Sequence, residues 1–80
     1  MTIDTKRREE YCEKRADLEA QIEVQRAVGH FALEHIERCK KERDFVEQGA
    51  WLSVLRDSTA KLHELNAKYS DLIVEYRDVV

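Results

Sequence analysis

An all-α fold, an antiparallel coiled-coil hairpin of two long helices, is predicted by three observations: apolar residues recur in steps of four and three, proline is absent, and glycine occurs twice. Before Gly49 the register runs Tyr11, Arg15, Leu18, Ile22, Gln25, Gly29, Ala32, Ile36, Cys39, Arg43, Val46. After it the same steps resume as Trp51, Leu55, Ser58, Leu62, Leu65, Tyr69, Leu72, Tyr76, Val79. A seven-residue repeat of this kind turns one stripe of each helix toward a partner helix along its whole length. The remaining composition agrees, since Leu, Ala, Glu, Lys, Arg and Gln are good helix formers and no strand-like alternation of β-branched and aromatic residues is present.

The spacing places helix 1 over about residues 4–47, with Asp4 or Thr5 as its cap and Lys6, Arg7 and Arg8 as unfavourable charges in its first turn. Four-spaced pairs such as Glu10/Lys14, Glu34/Arg38 and Glu37/Lys41 lengthen its exposed face. Gly49 is read as the stop signal, with a turn over about residues 48–50 and helix 2 over about 50–79. All 80 residues then form one hairpin domain. Pairing from Gly49 leaves roughly residues 1–17 as an overhang without an intramolecular neighbour and sets Tyr69 opposite Gly29. Gly29 is also the point where a kink divides helix 1 and gives three helices in the competing reading.

One feature departs from a self-sufficient hairpin. At 100° per residue, Val24, Val28, Phe31 and His35 form a second stripe beside the seam, so the apolar arc of helix 1 is wider than one partner helix covers. Flanking apolar residues Leu33, Leu52, Ile73 and Val80 widen it further. A homodimer in which two hairpins build a helical bundle is expected, with Val24, Val28, Phe31 and His35 at its interface. A chain of 80 residues is also short for a lone two-layer core.

Charge excludes a strongly polyanion-binding surface. The formal charge is −3, from 14 basic and 17 acidic side chains, and both signs are spread along the whole chain. The Lys6-Arg7-Arg8 run and the Arg38, Lys40, Lys41, Arg43 cluster are interleaved with Glu9, Glu10, Glu37, Glu42 and Asp44, which cancels most of the gain from counterion release. No apolar run is long enough to span a membrane, and no targeting segment is recognised, so a cytoplasmic location is expected. Cys12 and Cys39 lie about 40 Å apart on one straight helix, too far to bridge, and are read as free thiols.

No catalytic, cofactor-binding or metal-binding residue is assigned. His35 and Cys39 are four apart and the expected pairing brings His63 to their level, but a buried thiol acting as a small hydrophobe explains Cys39 more simply. A glycine-rich phosphate loop, a nucleophile elbow, a paired Cys-x-x-Cys and a Glu-x-x-His helix motif are all missing, so the chain is not read as an enzyme. Trp51 reads as a plug at the hairpin tip or as a binding hot spot. Ile3, Arg7, Arg8 and Tyr11 on the overhang join it as candidates for contact with a second protein.

The function expected is that of a small, acidic, non-enzymatic protein-binding module. It is a homodimeric helical adaptor, or an inhibitor of the phage or mobile-element type that binds a host protein complex, with an RNA-binding helical dimer as the alternative. The partners expected are a second copy and one further protein of unknown identity, with neither nucleic acid nor membrane.

Overall fold

The structure, a computed structural model, describes residues 3–79. Two helices account for nearly all of them, α1 (Ile3–Glu42) and α2 (Phe45–Glu75), packed antiparallel along a rod of 62 × 16 × 13 Å. No helix among the described residues is long and apolar enough to cross a membrane. α1 stays helical through Gly29, because one glycine weakens a helix by about 1 kcal/mol and neighbours on both sides favour the helical state.

The turn lies at Arg43 and Asp44, not at Gly49. At the end of α1 the Asp44 amide donates to the Cys39 carbonyl at 2.9 Å and the Arg43 amide to the Lys40 carbonyl at 3.4 Å. These are the two bonds of a Schellman cap, and Arg43 takes the left-handed conformation that such a cap requires (φ 58°). α2 then starts at once. The Asp44 side chain accepts the Glu47 amide at 3.2 Å, which satisfies one of the unpaired donors of the first turn. Gly49 sits inside α2 with an ordinary negative φ. The glycine signal is outweighed because Asp44-Phe45-Val46-Glu47 carries the sequence pattern of a helix start, and a lone glycine after it is tolerated.

Moving the turn changes every pairing. Residues 7–17 are no overhang, since α2 and the turns after it reach back to Arg7 and cover them. Gly29 faces Ser58 rather than Tyr69, and an added Cβ there meets Ser58 Oγ at 3.5 Å and Leu55 Cδ1 at 3.8 Å, which is ordinary contact. Between these small residues the Ser58 hydroxyl donates across the interface to the Gln25 carbonyl at 2.7 Å. The expected surface pairs give way as well: Lys14 donates to the Tyr76 hydroxyl and Arg38 pairs with Glu47.

The seam register itself holds. Tyr11, Ala32, Ile36, Cys39, Ser58, Leu65, Leu72 and Tyr76 are buried, and all of them belong to the four-three series. Arg15, Arg43 and Val46 in that series are exposed. Arg15 turns aside to bond Glu19 at 2.9 Å, Arg43 forms the turn, and Val46 begins α2 with no helix beside it.

The turn assignment has an energetic consequence. Asp44→Ala is expected to lower unfolding free energy by about 1 kcal/mol through loss of the cap. Gly49→Ala is expected to raise it by about 0.5–1 kcal/mol, because the site is helical and open. Urea melts followed by circular dichroism read both, and a destabilised Gly49→Ala protein contradicts this turn.

Candidate interaction surface

The open end of the hairpin is a clasp in which residues of α1 that the expected turn position leaves unpaired meet the end of α2. Tyr11 is 7% exposed and packs against Tyr76 with ring centroids 5.8 Å apart, joined by Leu72, Leu18 and Val79. Arg7 grips Asp78 through two bonds of 3.0 Å, donates to the Glu75 carbonyl at 3.2 Å, and lies 4.9 Å from the Tyr76 ring centroid. A cation placed on the last carbonyls of α2 is favourable for the helix dipole. Lys14 donates to the Tyr76 hydroxyl at 2.8 Å, and that hydroxyl donates to Glu10 at 3.4 Å. Tyr11 and Arg7 are therefore committed within the hairpin, and the idea that Tyr11 is uncovered is corrected. Arg8 stays exposed beside Thr5, Glu9, Cys12 and Glu13. The Ile3 side chain lies outside the described residues, as does Val80.

Toward the tip, α1 and α2 leave two broad faces. On the first, Val24 (58% exposed), Val28 and Phe31 (54% exposed) follow one another along α1. Phe31 meets the His35 ring edge-on at 4.4 Å, and His35 stacks on Trp51 at 4.2 Å with 6° between planes. Phe31 also meets Trp51 edge-on at 5.7 Å. Trp51 thus joins the stripe expected to dimerise, and its indole N–H reaches Glu47 at 3.4 Å. The Glu47 carboxylate also accepts from Arg38 at 3.3 Å, which ties α1 to α2 behind the rings. His35 Nδ1 is buried in this stack without a hydrogen-bond partner among the described residues.

The apolar stripe continues into an open groove of about 210 Å³ lined by Ala20, Gln21, Val24, Gln25, Lys61 and Leu65. Beyond it the same face turns polar, with Lys14, Asp17, Lys68, Asp71 and Glu75. Opposite charges alternate there, so neither sign dominates.

The second face is unlike the first. Its wider part is a groove of about 440 Å³ lined by Glu19, Ile22, Glu23, Arg26, Asn66 and Tyr69. The Tyr69 hydroxyl donates to Glu19 at 3.1 Å, and Arg15 and Tyr69 together hold the Glu19 carboxyl below the usual range. Nearer the tip this side exposes Leu33 and Leu52, with Phe45 and Val46 at the start of α2. Sequence reasoning missed Phe45 as a surface residue. The Asp44-Phe45-Val46-Glu47 cap pattern was the signal that could have placed it at the head of a helix with no partner alongside.

His35, Cys39 and His63 do not converge. His35 lies in the ring stack, Cys39 is fully buried with its thiol pushed up by desolvation, and His63 is exposed. Among the described residues no group of three or more His, Cys, Asp or Glu is placed to hold a metal ion. His30 and Glu34 make an exposed pair at 3.3 Å. No family model, curated protein or solved structure matches the chain.

The clasp gives a pH dependence of defined sign. Hydrogen bonding to Arg7 holds the Asp78 carboxyl below the ordinary aspartate range, so its contribution is present above about pH 4 and is lost as pH falls through the depressed value. Both side chains are solvent-screened, so the loss frays the open end and leaves the seam intact. Backbone amide shifts of Tyr76 and Val79 are expected to titrate with Asp78 in acid. Asp78→Asn should abolish that transition.

Proposed function

We propose that the protein is a non-enzymatic interaction module that works as a homodimer, with Val24, Val28, Phe31, His35 and Trp51 at the interface between two copies. The carrying observation is the Phe31–His35–Trp51 ring stack, held in place by its own hairpin yet with Phe31 left half in water. Rings fixed in this way lose little conformational freedom on association, which favours them as anchors.

Two further features support the reading. A two-helix rod only 13 Å thick in its narrowest direction cannot close a core around both sides of its seam. The buried His35 Nδ1 has no hydrogen-bond partner among the described residues, so the ring is held in the stack by its aromatic neighbours. Binding of a second, different protein completes the role as an adaptor or inhibitor. The RNA-binding alternative loses support because Arg7 and Arg38, one from each basic cluster, are already engaged with Asp78 and Glu47.

Sedimentation at micromolar concentration tests the dimer: twice the chain mass of 9.5 kDa is expected. Phe31→Glu should weaken association at least a hundredfold while helical content is kept, because it places a charge in the centre of an apolar contact. A wild-type monomer, or an unchanged mass for Phe31→Glu, overturns the assignment.

A further inference from the structure

Gly49 has no internal reason to be glycine. It lies within α2, its φ is not positive, and no heavy atom other than its neighbours' stands within 4 Å of where a Cβ would be. Helix propensity alone opposes it, since alanine is the better helix former. Its place on the helix is informative. Phe45, Gly49, Leu52 and Arg56 follow at spacings of four, three and four, which puts them on one stripe of α2. The stripe continues to Asn66, which shares the second face with Arg26 of α1. Leu33 and Lys40 lie seven and fourteen residues beyond Arg26 on the matching stripe of α1.

The result is an apolar strip with a flat centre and the cations Lys40 and Arg56 at its margins. Phe45 is 67% exposed, Leu33 and Leu52 are each 49% exposed, and the glycine between Phe45 and Leu52 lets another backbone come close. Among the described residues the side chains of Lys40 and Arg56 have no acidic partner, and Glu37 is the acid on the α1 stripe beside them. Lys40 and Arg56 lie on different helices, so one partner surface of opposite charge can meet both. The opposite charge fits well.

We infer that this strip at the hairpin tip docks an amphipathic helix of a partner protein whose apolar stripe is flanked by acidic residues, its backbone crossing α2 at Gly49. The inference rests on reading the protein as an interaction module and is independent of dimerisation through the opposite face. Leu33, Phe45 and Leu52 supply the apolar contact, and Lys40 and Arg56 select acidic flanks.

Fluorescence anisotropy of the full chain with two labelled helical peptides provides the test. The peptides share one leucine stripe, flanked by glutamate in the first and by lysine in the second. The glutamate peptide is expected to bind at least tenfold more tightly and to lose binding with Phe45→Asp, and Arg56→Glu is expected to reduce or invert the selectivity. Gly49→Leu separates docking from folding: binding is expected to fall at least tenfold while thermal stability does not drop, since leucine is the better helix former. Absent or equal binding of the two peptides overturns the inference, as does loss of binding with Phe31→Glu in place of Phe45→Asp. A fall in sedimenting mass on Phe45→Asp also overturns it, because the strip then belongs to a second copy. A monomer that still selects the glutamate peptide refutes the dimer alone.

Discussion

The bond from the Glu47 amide to the Asp44 carboxylate, with the Schellman pair across Arg43, decides where α1 ends and α2 begins. In an antiparallel hairpin that position sets the axial register of everything else, because each residue by which the turn moves shifts the partners by two. With the turn here, Gly29 meets Ser58, and Tyr11 meets Tyr76. The chain accepts a left-handed arginine at the turn, a conformation that costs about 1–2 kcal/mol for a non-glycine residue. The cap and the paired seam offset that cost together.

The two ends are held by different means. At the closed end, Glu47 is shared between Arg38 and the Trp51 indole, so the charge that follows the cap also steadies the ring stack. At the open end, Arg7 replaces the missing helical donors at the C-terminus of α2 and covers Tyr76. Between them the seam narrows to Ala32, Gly29 and Ser58, where small residues bring the backbones close enough for the Ser58 hydroxyl to reach the Gln25 carbonyl.

What the sequence made legible follows from which signals are periodic and which are local. The seam could be read because a four-three register is a property of each helix by itself and survives any placement of the turn. The stripe of Val24, Val28, Phe31 and His35 could be read for the same reason. Trp51's membership of that stripe could not, since it depends on the axial register between helices, and a turn at Gly49 gives the wrong register. The Asp44-to-Glu47 pattern was visible but was outweighed by a glycine. Arg43 in a left-handed conformation leaves no trace in residue type at all. Tyr11 and Arg7 are expected from the sequence to meet a second protein, and they meet the far end of their own chain instead.

A rod of two helices has two broad sides, and a hairpin whose sides were alike would stack copy upon copy without closing. This chain avoids likeness. Its first side is aromatic and aliphatic over the tip half and carries alternating charges over the rest, a pattern that can satisfy itself across a twofold axis. Its second side sets apolar residues beside Lys40 and Arg56, which have no acidic partner among the described residues. In the proposed dimer, association through the first side leaves the second facing outward on both copies, so self-association and partner binding use different residues of one short chain.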